Sequence, residues 1–510
     1  MGAAAWISAW WWIAGVLLAL LGLLGIWDLA QRRHSVLRNY PVIGHARFLM
    51  ESIRPELQQY FVERNFDGRP FDRDVRSIVY ERAKGTDAEE PYGTERDVYQ
   101  AGHEFLVPSM APCAVPRTPP RVRIGGPDCT QPYDMALLNV SAMSFGSLSA
   151  NAVLALNGGA AGGHFAHDTG EGGLSEYHLR PGGDLVWEIG TGYFGCRTED
   201  GGFDAERFAD KAAHDHVKCV SLKLSQGAKP GIGGVLPGAK VNAEIAQVRG
   251  VPQGQTVTSP PYHRVFSTPR ELVRFVARMR ELSGGKPTGF KLRLGSRRQF
   301  LAVCKAMMEE GTAPDFIIVD GAEGGTGAAP LEFADHIGTP LTDGLLTVHN
   351  ALVGAGLRNR IKVGASGKIA TGADLVKRLL QGADYGNSAR AMMFAVGCIQ
   401  AQRCHTNTCP TGVTTQDPRR ARALDVGDKS VRVQRLQAAT VASALQIMAS
   451  MGVTDPEQLR PHMLQRRIDP YTLRSLDEMH ECLAPGQLLA EPPSSWVADW
   501  EAADPDHFTV

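Results

Sequence analysis

The chain has 510 residues, 43% apolar and 21% charged. Lysine plus arginine total 53 against 54 aspartate plus glutamate, so no global field points to nucleic acid as a partner. Nine cysteines, an odd number on what reads as the cytoplasmic side, argue against a disulfide framework.

The first stretch, Ala3 to Trp27, contains no charged residue. As a helix it would be roughly 37 Å long, enough to cross a bilayer with some tilt. Trp6, Trp10, Trp11 and Trp12 lie at one end, where aromatic belts form, and Arg32, Arg33 and Arg38 follow the other. The positive-inside rule then places everything downstream in the cytoplasm. A cleaved signal peptide would carry a basic region before the run and a small-residue cleavage site after it, and neither is present. Residues 1–33 are therefore expected to be a single-pass membrane anchor.

Residues 34–133 read as a helical and proline-rich linking region, with seven prolines between Pro108 and Pro132 suggesting extended chain. From residue 134 to 431 short apolar runs alternate with helical patterns, the signature of repeated β/α units. Strands are predicted at Ala136–Met143, Cys219–Leu224, Gly289–Leu294, Phe316–Asp320, Ile361–Gly364 and Tyr385–Asn387. Helices are predicted at 149–158, 269–283, 298–309, 341–353 and 372–381. The alternation favours a TIM (β/α)8 barrel, with a doubly wound open sheet as the structural alternative. Residues 432–510 read as a helical extension, ending from Asp455 in short helices and a polar tail.

In such barrels the chemistry lies at the carboxyl ends of the strands. Lys223, Gln226 and Lys229 follow one strand, Lys291 and Arg293 end the next, and Glu323-Gly324-Gly325 follows Asp320. Loops after the last two strands form a phosphate site in many TIM barrels. That assigns a phosphate to Ser366, Gly367, Gly386 and Asn387, against the plainer reading of these glycines as turn formers.

Cys398, Cys404 and Cys409 fall within twelve residues in GCIQAQRCHTNTCPTGVTTQD, residues 397–417. Clustered thiolates repel one another unless something cationic binds them. An iron–sulfur cluster with one open corner fits three ligands. A Cys3His zinc site using His405 and three buried core thiols are the competing readings.

This segment, with its C-x5-C-x4-C spacing, resembles the three-iron, four-sulfur segment of the glutamate synthase large subunit. KLSQGAKPGIGGVLPGAK (223–240), NVSAMSFGSLS (139–149), TGEGG (169–173), SPPYH (259–263) and DGAEGGTGAAP (320–330) resemble further signatures of that family, in the family's order. The resemblance spans Met135 to Val431 and implies a TIM barrel binding FMN and a [3Fe-4S] cluster at Cys398, Cys404 and Cys409. It implies a flavin ring against Met143 and Ser144, with Gln226, Lys291 and Gly325 nearby and Lys223 as a catalytic cation. It maps keto-acid contacts onto Lys229 and Arg249, and proton relay onto Glu171. Two departures bear on the keto acid: Val235 stands where the family has glutamine, and Leu174 where it has glutamate.

The full-length subunit begins with a glutaminase domain bearing an N-terminal cysteine, whereas this chain reads Met1-Gly2-Ala3. No GxGxxG opens a helix after a strand, so a nicotinamide site is not expected. With about 75 residues after the barrel in this sequence, a β-helical domain is not expected among them. The expected function is a glutamate synthase-like oxidoreductase, with FMN and an iron–sulfur cluster, that forms or oxidises an amino acid. Its substrates would be a keto acid and ammonia or an amine, with an electron-donor or acceptor protein as further partner. The rival is a cofactor-binding electron-transfer or scaffold subunit without its own substrate.

Overall fold

The computed structural model describes residues 2–86, 89 and 91–509, with side chains from residue 10 onward. It divides into two compact units, Met1–Asp74 and Val75–Val510.

The first unit opens with the 29-residue helix α1 (Gly2–Ala30). Trp10, Trp11 and Trp12 are exposed along it, as are Leu18 and Leu23. Trp6, expected at the aromatic end, lies outside the described side chains. From Trp10 to Ala30 the helix is long and apolar enough to cross a membrane. Its last turn is tied down by Asp28, a buried carboxylate that accepts the Val42 backbone N–H at 2.8 Å and meets His45 Nε2 at 2.9 Å. Helix α2 (Gly44–Leu57) follows, with Leu49, Met50 and Ile53 exposed.

The second unit is built on a closed barrel of eight parallel strands in sequence order. These are β1 (Leu138–Val140), β2 (His167–Asp168), β3 (Leu185–Ile189), β4 (Val217–Lys223), β5 (Thr288–Leu292), β6 (Phe316–Asp320), β7 (Lys362–Ser366) and β8 (Tyr385–Ser388). The closed ring decides for the barrel over the open sheet. Sequence patterning misses β2 and β3: two residues carry no periodicity, and Glu188 interrupts the apolar run of LVWEI. The expected strand 136–143 is also divided. Tyr133–Ala136 pairs antiparallel with Arg121–Ile124, inside the segment expected to be plain extended chain, and only Leu138–Val140 joins the barrel.

That hairpin closes one end of the barrel. Ile124 and Met135 join Ala166, Val186, Cys219, Phe316, Ile318 and Tyr385 in one buried apolar cluster. Full burial of a side chain of that size contributes about 1.5–3 kcal/mol. Successive inward positions lie two residues apart along a strand. Two residues beyond Ala166, Val186, Ile318 and Tyr385 stand Asp168, Glu188, Asp320 and Asn387, so the interior turns from apolar to charged toward the carboxyl ends.

Outside the strands lie α3 (Ala150–Gly163), α4 (Pro269–Leu282), α5 (Arg297–Glu310), α6 (Leu341–Gly354), α7 (Gly372–Leu380) and α8 (Val426–Ser450). Ser149, Thr268, Ser296, Thr371 and Asp425 cap five of them by accepting backbone N–H groups. Helix α8 packs against α3 and α7, closing the outer ring. A Cβ on Gly159 would lie 2.5 Å from Val433, so the approach of α3 to α8 requires glycine there. The same helix runs unbroken through residues 431 and 432. The region after Asp455 supplies strands as well as short helices: Leu464–Arg467 pairs antiparallel with Leu473–Ser475 and with Glu104–Leu106.

Candidate active site at the barrel mouth

The inner wall of the mouth is a network of buried charge. The Lys291 ammonium, on β5, meets the Glu188 carboxylate of β3, and both side chains are buried. Burial alone would lower the Lys291 pKa, but Glu188, Asp168 and Asp320 hold it above the ordinary lysine range. Burial and the charge of Glu188 push Asp168 up to about 8. Asp320 is raised by burial as well, while its Oδ2 accepts the Gly227 N–H at 2.7 Å. Like charges crowded at low dielectric cannot all ionise, so at neutral pH Asp168 keeps its proton.

Above this layer Lys223, the last residue of β4, places its Nζ 3.1 Å from Glu171 Oε1 and 3.0 Å from Gln226 Oε1. A Cβ on Gly234 would lie 2.0 Å from Glu171 Oε1 and one on Gly190 2.6 Å from Oε2. The carboxylate therefore sits in a seat that only glycines permit. Burial would raise the Glu171 pKa, but Lys223, Arg249 and Lys291 outweigh it and keep the group ionised. A small cleft opens over the pair, lined by Thr191, Gln226, Gly231, Gly233 and Pro260 among others. His263 supports the floor: its Nε2 meets the Lys223 carbonyl at 2.9 Å and its Nδ1 the Tyr193 hydroxyl at 3.1 Å. Burial holds its pKa down to about 4, so the ring is neutral.

Arg249, only 4% exposed, donates from Nη2 to the Phe145 carbonyl at 2.9 Å and lies over the Phe194 ring at 5.0 Å. Among the described residues its Nε finds no partner. Burial lowers its pKa to about 10, partly offset by Glu171. Lys229 is buried too, and its Nζ donates to the Ala328 carbonyl at 2.6 Å. Gly170 adopts φ +66, and a Cβ there would lie 2.6 Å from the Ser144 nitrogen. The Met143-Ser144 loop and the Glu171 loop are thus in backbone contact.

On the late strands the register differs from expectation. Ser366 pairs with Asn387, and both lie inside their strands together with Gly386. The loops therefore begin at Gly367 and Ala389. Ser366 Oγ lies 3.1 Å from Ser141 Oγ. Arg390, just after β8, reaches the Glu323 carbonyl, and its Nε would be 3.1 Å from a Cβ at Gly325. This places a half-buried guanidinium beside Gly325 and the β6 loop.

The cysteine segment lies on the far side of the β1 loop. Gln416 Nε2 donates to the carbonyls of Gly146 (3.0 Å) and Leu148 (2.7 Å), and the Ser149 N–H donates to the Val413 carbonyl at 2.9 Å. Lys240 Nζ donates to the carbonyls of Cys404, Thr414 and Ser147. Burial pushes that ammonium down to about 8, against the pull of Cys404 and Cys409. Three non-glycine residues between the cysteines, Gln400, Gln402 and Asn407, adopt positive φ, a strained backbone of the kind found at functional sites. Burial raises Cys398 to about 12 and also raises Cys404. Cys409 is lowered to about 7, burial being outweighed by hydrogen bonds from Thr414 and Thr411. His405 is exposed. Among the described residues no three His, Cys, Asp or Glu side chains converge as a metal site.

The conserved region in glutamate synthase matches residues 131–454. The chain belongs to the glutamate synthase family. It is 37% identical over 499 residues to the glutamate synthase large subunit-like protein YerD of Bacillus subtilis, covering 90% of this chain and 94% of that protein. It is 34% identical over 323 residues to an archaeal glutamate synthase [NADPH] of Methanocaldococcus jannaschii, covering 63% and 60%. The chain thus spans about 60% of that archaeal relative. A mandelate oxidase solved with (S)-mandelic acid aligns at 15% identity over 79% of this chain and 96% of that one, with a TM-score of 0.42, too loose a likeness to compare sites.

Within this glutamate synthase core the fold brings together Lys223, Glu171, Gln226, Arg249 and Lys229, with Lys291 one layer below. Met143 and Ser144 face them through Gly170. Ser366, Gly386 and Asn387 line the late strands beside Gly367, and Gly325 sits against Arg390. Val235 is 41% exposed and pairs with Thr258, so its side chain is not enclosed by the mouth. Leu174 is buried. Sequence reading misses Asp168, Glu188, Asp320, His263 and Arg390 as members of the mouth, and Lys240 beside the cysteine segment. Asp168 stands one residue before TGEGG, while His263 and Lys240 end quoted motifs. Nothing in the sequence distinguishes Glu188, because its strand went unrecognised.

Proposed function

We propose that the chain is an oxidoreductase with the chemistry of the synthase half of glutamate synthase, using FMN and a [3Fe-4S] centre to form or oxidise an amino acid such as L-glutamate. The substrates are a 2-keto acid with ammonia or an amine. The reading rests on one observation above all: buried Lys223 and Arg249 and the largely enclosed Glu171 form one charge group at the barrel mouth, under a cleft. Bound FMN would supply hydride chemistry and the iron–sulfur centre one-electron chemistry.

Met143 and Ser144 would lie against the flavin ring, with Gln226, Lys223 and Lys291 beneath its polar edge. A cation there favours a ring that gains negative charge. Gly325, Ser366, Gly367, Gly386 and Asn387 would hold the phosphate end, and Arg390 supplies the charge such an end calls for. Arg249 and Lys229 would hold the carboxylates of the keto acid, for which a planar guanidinium is suited. Glu171, ionised and held by Lys223, is positioned to exchange a proton with nitrogen at the cleft.

Cys398, Cys404 and Cys409 would hold the cluster. Support comes from the soft donor set, the strained backbone between the cysteines, and a neighbouring cation that no described carboxylate balances. The exposed His405 favours three sulfur ligands over the Cys3His zinc alternative. We further read α1 as a single membrane anchor with the barrel on the cytoplasmic side, on its length, its exposed apolar surface and Arg32, Arg33 and Arg38. An electron-donor or acceptor protein completes the reading.

The test is an absorption spectrum of anaerobically purified protein, followed by titration with keto acids. Flavin and iron–sulfur bands are expected, and 2-oxoglutarate should perturb the flavin band. Arg249→Ala should weaken that response by ~10²–10³-fold, the loss of one partner of a buried charged contact. Arg249→Lys keeps the charge without the planar fork and should be nearly as harmful. An unchanged response in Arg249→Ala would remove the dicarboxylate assignment.

A further inference from the structure

Lys240 ends the short 3-10 turn Gly238–Lys240 and is 2% exposed. An ammonium has three donors, and here each meets a backbone carbonyl: Cys404 at 2.7 Å, Thr414 at 2.8 Å and Ser147 at 3.1 Å. Two of these carbonyls belong to the cysteine segment and the third to the loop that follows β1. The side chain therefore bridges the proposed cluster site and the proposed flavin loop. On its other side that loop is held by Arg249 through the Phe145 carbonyl at 2.9 Å.

The charge around Lys240 is unusual. Among the described residues no carboxylate forms an ion pair with it, and the titratable groups that face it are Cys404, Cys409 and Arg249. A buried cation without a counter-charge is costly. Lys291 and Lys223, both buried in the barrel mouth, each have a carboxylate within ion-pair distance. Lys240 has only carbonyl dipoles and thiols, so its counter-charge must come from thiolates or from what they bind.

We propose that Lys240 is a positioning residue for the thiolate-bound centre, clamping residues 404–414 to the β1 loop and supplying the positive charge that raises the centre's reduction potential. The inference rests on the iron–sulfur reading above. It adds a role for a residue that binds neither the metal nor the substrate. A cation beside an anionic centre favours the state with one more electron. Held by three carbonyls, it also cannot turn away from that centre without leaving three acceptors unpaired.

The test uses the full chain, purified anaerobically, with Lys240→Met and Lys240→Arg. Iron, sulfide and flavin are counted, and the centre is titrated by electron paramagnetic resonance against potential. Lys240→Met should keep its flavin and shift the centre's redox equilibrium at least tenfold toward the oxidised state, ~59 mV lower for one electron. Lys240→Arg should stay within that interval of the parent. Equal potentials in the parent and Lys240→Met, or equal shifts in both variants, would overturn the charge role. Should Lys240→Met lose its iron, retention by Lys240→Arg supports the proposal and loss from both overturns it. A parent protein with flavin but no iron would instead sink the iron–sulfur reading and with it the charge role. In that case amide exchange over 404–414 decides the clamp, which an unchanged rate in Lys240→Met would disprove.

Discussion

The two sides of the β1 loop handle buried charge in opposite ways. On the barrel side Lys223, Lys291 and Arg249 face Glu171, Glu188, Asp168 and Asp320, and a proton on Asp168 removes the remaining negative charge. That network is neutralised by the protein's own groups. On the cysteine side Lys240 faces thiols and carbonyls, and no described carboxylate balances it. A buried network that is satisfied internally can be folded before any cofactor arrives, whereas one left with an unmatched cation gains stability when an anion joins it. The barrel mouth should therefore stand up to loss of metal, and the cysteine segment should not.

Three perturbations test that contrast. The largest effect is expected from Lys291→Met, which leaves Glu188, Asp168 and Asp320 without their shared cation. Breaking a buried pair from one side costs about 3–5 kcal/mol, so thermal unfolding should move down by many degrees. Lys291→Met combined with Glu188→Gln should recover most of the loss, because the carboxylate in direct contact with Lys291 is then no longer left as an unpaired charge. If the double variant melts no higher than the single one, the network is not held by charge.

Cys404→Ser should act on the other side and act locally. It should abolish iron binding while leaving flavin content unchanged, because the residues assigned to flavin sit on the barrel strands and their loops. The expected cost to global stability in the metal-free protein is about 1 kcal/mol, as for an ordinary substitution. Loss of both flavin and iron would mean that the two sides are one cooperative structure.

The third perturbation is a pH dependence. Asp168 binds its proton more tightly folded, up to about 8, than an unfolded aspartate near ~3.9. The native state then holds more protons than the unfolded state between those values, and stability falls as pH rises through that window. Asp168→Asn, neutral at every pH, should flatten this decline and raise the melting temperature relative to the parent near pH ~8. Melting curves measured from pH ~5 to ~8.5 would show it, and parallel curves would place the proton elsewhere in the network.

Much of this was readable in the chain itself. Local chemistry carries the uncharged run from Ala3 to Trp27, the C-x5-C-x4-C spacing and the alternation of apolar runs with helical patterns. These signals are short-range, set by hydropathy over a window or by spacing within a loop, and they need no knowledge of what lies across the barrel. The strands that escaped notice failed for a physical reason. His167–Asp168 is too short to show a period, and Glu188 breaks an apolar pattern because it faces Lys291 inside a barrel instead of an apolar core.

What only the tertiary structure decided is which distant groups share one space. Glu188 and Lys291 are 103 residues apart in sequence, and Lys240 and Cys404 are 164 apart. Whether a charge is costly or satisfied depends on a partner brought from another strand, and no local pattern encodes that partner. Val235 makes the same point from the other direction. Its place in a motif suggested a pocket wall, but a two-residue pairing with Val257–Thr258 leaves it exposed. The sequence determined the kinds of chemistry this protein carries; the closed barrel determined which of them meet, because burial turns proximity between charges into energy.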